Sequence, residues 1–183
     1  MRIFIGIPLG VKEKKQLQNI QKTVMEKSRG GRFTDVENFH LTLKFIGEIP
    51  EEYLREVKDG VQKGVEGIAP FTLVLQGFGT FSKGKTRIPW LGVREGREGL
   101  RRLQENIEGA LAEIGYEKES RPFQPHMTFG RKVSLSSSEE AYLQEILQET
   151  KVPVEVTSVA VMESTRKNGK LVYPVIEGFS LGK

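Results

Sequence analysis

His40-Leu-Thr-Leu-Lys-Phe-Ile-Gly47 sets a histidine at the head of an apolar stretch with a threonine two residues on, and Pro125-His-Met-Thr-Phe-Gly-Arg131 repeats the arrangement 86 residues later. On a strand, residues i and i+2 share a face. His40 and Thr42 therefore point one way, and Leu41, Leu43 and Phe45 point the other way, into a core. His126 and Thr128 do the same against Met127 and Phe129. These are the only two histidines in 183 residues, of which ten are Thr. Composition alone does not put Thr at the same offset from both.

The surrounding elements follow one order twice. Ile3 to Leu9 reads as a strand, and Val11 to Met25 as a helix with Leu17, Ile20 and Val24 at helical spacing. The His40 strand follows, then a helix opened by Pro50 with Leu54, Val57, Val61 and Val65 on one stripe. Phe71 to Phe81 and Ile88 to Val93 read as strands joined by the basic loop Ser82-Lys-Gly-Lys-Thr-Arg87. Arg97 to Ile114 is a helix carrying Leu100, Leu103, Ile107 and Leu111, stopped by Gly115. Pro125 to Val133 is a strand, and Ser136-Ser-Ser-Glu139 a capping box for a helix with Leu143, Ile146 and Leu147. Val152 to Ser164 and Leu171 to Phe179 close the chain as a strand pair around Asn168-Gly169. The expected fold is α+β. Residues 1–183 form one bilobal domain, a pseudo-twofold duplication with two mostly antiparallel sheets lining a central cleft and helices outside.

Two groups that titrate near neutral pH, each beside a hydroxyl, suit a concerted acid–base reaction. One histidine on a half-buried strand is ordinarily structural; two in duplicated contexts point to chemistry. If the pseudo-twofold brings them across one cleft, the pair fits an in-line displacement at phosphorus. One side deprotonates the attacking oxygen, the other protonates the leaving oxygen, and the threonines donate to the non-bridging oxygens. No metal-ligand cluster accompanies the histidines.

The paired His-apolar-Thr-apolar motifs resemble those of the two-histidine (2H) phosphoesterase superfamily. Within it the chain is most similar to the bacterial and archaeal RNA 2′,3′-cyclic phosphodiesterases, historically called 2′-5′ RNA ligases. The resemblance includes Arg2-Ile-Phe-Ile-Gly-Ile7, Glu37 to Glu48, Pro89-Trp-Leu-Gly-Val93, Pro125 to Arg131 and Met162-Glu-Ser164. It implies hydrolysis of 2′,3′-cyclic phosphate RNA ends to 2′-phosphates without a cofactor or metal, with reversible 2′-5′ RNA ligation beside it. It also implies His40 as acid to the 3′-oxygen, His126 as base to water, and Thr42, Thr128 and Arg131 as phosphate-binding residues. Phe33 stands where relatives often have Trp.

Several residues stay open at this level. Strict alternation puts Arg131 opposite His126, so either Gly130 bends the strand and re-aims it, or Arg131 is a surface residue. Lys44 falls on the His40 face, where it meets phosphate or, as exposed Lys usually does, only solvent. Lys83, Lys85 and Arg87 form a loop that tracks an RNA backbone or is simply solvated. Phe33, Trp90 and Phe123 are candidates for stacking on a base, with core the favoured place for Trp90. Two other functions compete: an RNA-end-binding module without catalysis, and an enzyme for small cyclic nucleotides or ADP-ribose cyclic phosphate.

The absence of cysteine excludes a disulfide framework, a thiolate zinc site and a thiol nucleophile. No apolar run approaches the ~20 residues of a membrane span, and the N-terminal stretch is broken by Gly6 and Pro8 without a cleavage site. The expectation is a cytoplasmic monomer with no membrane partner. A net charge of +4 favours an anionic partner. Acidity comes from 22 Glu and two Asp, a composition that leans toward a thermophile.

Overall fold

Apolar residues at helical and at alternating spacing segregate into four helices and two main sheets in a computed structural model that describes residues 1–182. In chain order the elements are β1 (Arg2–Pro8), α1 (Val11–Lys27), β2 (Arg32–Phe33), β3 (His40–Glu48), α2 (Leu54–Val65), β4 (Phe71–Lys83), β5 (Thr86–Glu95) and α3 (Arg97–Ala112). There follow β6 (His126–Thr128), β7 (Gly130–Arg131), α4 (Ser137–Leu147), β8 (Val152–Val156), β9 (Ser158–Glu163), β10 (Thr165–Lys167), β11 (Lys170–Val172) and β12 (Val175–Ser180).

The two four-stranded antiparallel sheets run β12-β9-β1-β3 and β6-β5-β4-β8. The duplication is visible in that order. β1 and β5 hold equivalent inner places, each followed by a helix, and each pairs with a histidine strand at the sheet edge. The repeats also exchange strands. β4, which follows the helix of the first half, pairs with β5 of the second; β9 crosses back to pair with β1. The two histidine strands, β3 and β6, lie against each other where the sheets meet.

α3 buries Leu100, Leu103, Ile107 and Leu111 on one stripe, as its periodicity requires. It packs on α2, whose glycines allow the close approach: a Cβ at Gly64 would lie 2.9 Å from Ile107 Cα, and one at Gly60 2.8 Å from Leu111 Cδ2. The capping box of α4 is formed. Ser136 Oγ accepts from the Glu139 amide at 3.1 Å, and the Glu139 carboxylate accepts from the Ser136 amide at 2.9 Å. One buried apolar cluster draws on both sheets, from Ile3, Ile5 and Leu41 to Leu75, Leu91 and Met127.

Three expected strands divide. Val152 to Ser164 is not one strand: Val152–Val156 pairs with β4, and Ser158–Glu163 pairs with β1 in the other sheet. The turn at Asn168-Gly169 forms, with both residues at positive φ (53° and 77°); it closes the small β10–β11 hairpin, Leu171 to Phe179 divides at Tyr173-Pro174, and the expected strand pair forms beyond the break, where β9 pairs with β12. Pro125 to Val133 breaks at Phe129, after which Gly130 and Arg131 leave the main sheet to pair with β2.

Candidate active site

The backbone carbonyl two residues before each histidine fixes its ring. The Nδ1 of His40 lies 2.7 Å from the carbonyl oxygen of Asn38, and the Nδ1 of His126 lies 2.6 Å from that of Gln124. A carbonyl only accepts, so Nδ1 carries the hydrogen in both rings and donates it. Each Nε2 is left as the working atom, a lone pair in the neutral ring and a donor in the cation. In the neutral His40 ring, Nε2 accepts from the Thr42 hydroxyl at 2.9 Å. Phe4 and Tyr173 hold the His40 ring from two sides, at ring-centre distances of 4.9 and 5.1 Å. Phe81 meets the His126 ring edge-on at 5.0 Å.

His40, Thr42, His126, Thr128 and Arg131 all line a single cavity of about 450 Å³. Its charged and titratable walls are Arg2, Arg131, Tyr173 and the two histidines, with no carboxylate among them. Burial lowers the pKa of His40 below the ordinary imidazole value of 6.5, helped by the positive charge of His126, Arg131 and Lys14 and opposed by the Asn38 carbonyl. Burial also lowers that of His126, again opposed by a carbonyl, that of Gln124, and helped by Arg131. The cavity is thus built to receive an anion.

Arg131 reaches the cavity because β6 ends. Phe129 donates its amide to Pro89 and accepts from Thr34, and Gly130 then pairs with Phe33. A Cβ on Gly130 would stand 2.8 Å from the Arg32 carbonyl, so the switch of sheet needs glycine there. The alternation that would turn Arg131 away from His126 does not survive the break.

Alternation also fails along β3. Opposite β1, the register skips a residue at Leu43, a bulge that turns the following side chains over. Leu43 and Lys44 are both buried, and Phe45, expected in the core, is 52% exposed on the cavity wall. Lys44 faces neither phosphate nor solvent. Its Nζ donates to both carboxylate oxygens of Glu108, at 3.1 and 3.0 Å, and to the Glu117 carbonyl at 2.8 Å.

The other open residues separate as follows. Arg87 donates to Glu140 at 2.8 Å and to the Leu135 carbonyl at 3.2 Å, which holds it to the α4 end of the chain. Lys83 and Lys85 are exposed beside a two-residue turn. Phe33 packs on the core, and Phe123 does so with part of its surface open to a groove. Trp90 is half-buried beside Phe81 and His126, with its indole N–H buried and unpaired. Arg2 and Tyr173 belong to the cavity and were not singled out from the sequence. A partial signal for Arg2 existed, since it alternates with Ile3, Ile5 and Ile7 on β1. Among the described residues no group of three His, Asp or Glu is placed to hold a metal ion, and no helix is long and apolar enough to cross a membrane.

Known proteins are similar to this chain along most of its length. An RNA 2′,3′-cyclic phosphodiesterase of Methanothermobacter thermautotrophicus is 30% identical over 187 residues, 99% of each chain. One of Thermotoga maritima is 36% identical over 132 residues, covering 72% of this chain and 70% of its own. The crystal structure of Escherichia coli LigT complexed with 3′-AMP superposes with a TM-score of 0.81 at 25% identity, covering 100% of this chain and 98% of that one. The family model of the 2′-5′ RNA ligase superfamily matches residues 8–168, a span that contains both histidine motifs and Arg131, and the chain belongs to that superfamily.

Proposed function

We propose that this chain hydrolyses the 2′,3′-cyclic phosphate at an RNA 3′ end to a 2′-phosphomonoester, with His40 and His126 as the acid–base pair. The observation that carries the reading is the matched pair of rings. Each has Nδ1 committed to a backbone carbonyl and Nε2 turned away from that carbonyl, shared in His40 with the Thr42 hydroxyl, and both rings open onto one carboxylate-free cavity with Arg131. The names of the relatives, and the nucleotide bound to LigT, support RNA as the substrate class.

In this mechanism the Nε2 lone pair of His126 takes a proton from water as its oxygen attacks phosphorus. The bond from phosphorus to the 3′-oxygen breaks in line, and the 3′-oxygen takes the proton on Nε2 of a protonated His40. The lowered pKa does not forbid that proton, because the cyclic phosphate brings a negative charge between the rings and favours the cation. Arg131 and the hydroxyls of Thr42 and Thr128 bear on the non-bridging oxygens as charge builds there. Thr42 must leave Nε2 of His40 to do so, and protonation of that nitrogen releases it by removing the acceptor. With a 5′-hydroxyl in place of water, the same step would form the bond from phosphorus to the 5′-oxygen as the bond to the 3′-oxygen breaks, and so join a 2′-5′ linkage; run backwards, it would cleave that linkage and restore the cyclic phosphate. The reading includes a bilobal domain over the whole chain, working as a monomer in the cytoplasm and needing no metal or cofactor.

The test is product identification. Purified protein is incubated with EDTA and an oligonucleotide ending in a 2′,3′-cyclic phosphate, beside a free cyclic mononucleotide. A 2′-monoester on the oligonucleotide is expected. A 3′-monoester, or binding without turnover, would contradict the reading.

A further inference from the structure

Each histidine follows an amide residue by two places, Asn38 before His40 and Gln124 before His126. In both cases the backbone carbonyl of that residue takes the Nδ1 hydrogen, at 2.7 and 2.6 Å. A ring is aimed only as well as the carbonyl that holds it, and the two halves hold that carbonyl by different means. In the second half the next residue is Pro125. Its ring fixes its own φ and keeps the residue before it extended, which restricts the direction of the Gln124 carbonyl. Gln124 itself is exposed and borders an open groove. In the first half the next residue is Phe39, which imposes no such restraint.

There the side chain of Asn38 supplies the hold. It is 8% exposed, and its Nδ2 donates to the Leu171 carbonyl at 2.9 Å, across 133 residues of chain. Asn38 closes the 3₁₀ turn Val36–Asn38, in which its own amide donates to the Asp35 carbonyl at 2.8 Å and the Phe39 amide to that of Val36 at 3.1 Å. These bonds fix the Asn38–Phe39 peptide within the turn. The bond to Leu171 fixes the turn against the β10–β11 hairpin, which pairs with neither main sheet. The same hairpin leads into Tyr173, whose ring meets those of His40 at 5.1 Å and Phe4 at 5.3 Å. Asn38 thus joins the two segments that grip the His40 ring, one through its carbonyl and the other through its side-chain amide.

We infer that Asn38 is a positioning residue for His40: the bond from its side chain to the Leu171 carbonyl keeps its own carbonyl aimed at Nδ1, so that Nε2 points into the cavity. The role rests on the phosphodiesterase reading for what Nε2 does there. It adds that the two rings are aimed independently, so that one can be misdirected alone. Without the tether the His40 ring turns and exchanges tautomers, because the bond made by one ring nitrogen decides which nitrogen carries the hydrogen. Nε2 then spends less time within reach of the 3′-oxygen. Asn38 also borders the cavity, so direct contact with substrate is the rival role, and kinetics separate the two.

The experiment pairs heteronuclear NMR of the two imidazole rings with kinetics on a 2′,3′-cyclic-phosphate oligonucleotide, for wild type, Asn38→Leu and Asn38→Ser. Leu keeps the volume without a donor. Ser is the milder change, with a hydroxyl too short to reach Leu171, and serves if the Leu variant does not fold. In wild type both neutral rings should show the hydrogen on Nδ1. In the variants the His40 signal should move toward a mixture of tautomers while that of His126 stays. At the same time kcat and kcat/KM should fall together by about 10- to 100-fold, up to the cost of an ångström-scale misplacement of a reacting group. An unchanged His40 signal, equal changes in both rings, or a raised KM at wild-type kcat would overturn the role. If the His40 signal responds as expected but wild type turns nothing over, the catalytic reading fails while the positioning of His40 stands. If wild type is active and the His40 signal does not respond, the positioning fails and the catalytic reading stands.

Discussion

Lys44 on β3 and Glu108 on α3 form a buried ion pair across the two halves of the molecule, each side chain under 10% exposed and the Nζ within 3.1 Å of both carboxylate oxygens. Two further hydrogen bonds of the pair go to the loop that leads to His126: Lys44 donates to the Glu117 carbonyl and Glu108 accepts from the Glu119 amide at 3.1 Å. Removing one partner leaves a buried charge alone, which typically costs ~3–5 kcal/mol. Lys44→Met and Glu108→Gln should each show a loss of about that size in urea unfolding. The double variant Lys44→Met/Glu108→Leu should lose less than either. A loss below ~1 kcal/mol in both single variants would mean the pair is solvated in practice.

Without added ligand, both histidines should titrate below 6.5 by NMR, since burial lowers each. A ring with a lower pKa folded than unfolded binds fewer protons when folded. The stability tied to it is therefore present above about pH 6.5 and is lost as pH falls through the lowered value. An anion between the rings reverses the preference and draws a proton in. Sulfate, a dianion across about pH 5–8, should inhibit more tightly as pH falls, by up to tenfold per pH unit for each proton taken up. Inhibition independent of pH would contradict the coupling.

Thr42→Val and Thr128→Val keep the branched shape and remove the donor. Loss of a donor to developing charge typically costs ~2.7–4 kcal/mol, or ~10²–10³-fold in kcat. Neither threonine is buried, so stability should change by no more than ~0.5 kcal/mol. An early thermal transition with full kcat would make them sheet residues only.

The sequence carried the site further than it carried the register. His40, Thr42, His126 and Thr128 were readable because a period of two is local, and the order of strands and helices was readable because it occurs twice. What escaped depended on contacts between distant segments. The bulge at Leu43 exists only relative to β1, and it sent Phe45 to the site and Lys44 to the interior. The break at Phe129 exists because β2 offers Gly130 and Arg131 a new partner. Val152 to Ser164 showed the right strand character throughout, yet periodicity does not say that Val154 and Val161 belong to different sheets. Arg2 and Tyr173 join the site from β1 and the chain's last stretch, which nothing local to either histidine announces.

In the proposed reaction His40 and His126 act in one step. The decisive measurement is kcat on a 2′,3′-cyclic-phosphate oligonucleotide, in EDTA, for wild type, His40→Ala, His126→Ala and the double variant. Each single substitution should lower kcat by at least ~10²-fold, the lower range for a lost acid or base, and the double variant should be little worse than either, because a step that needs both groups is already lost with one. Losses that multiply, or a single variant that keeps wild-type kcat, would contradict the claim.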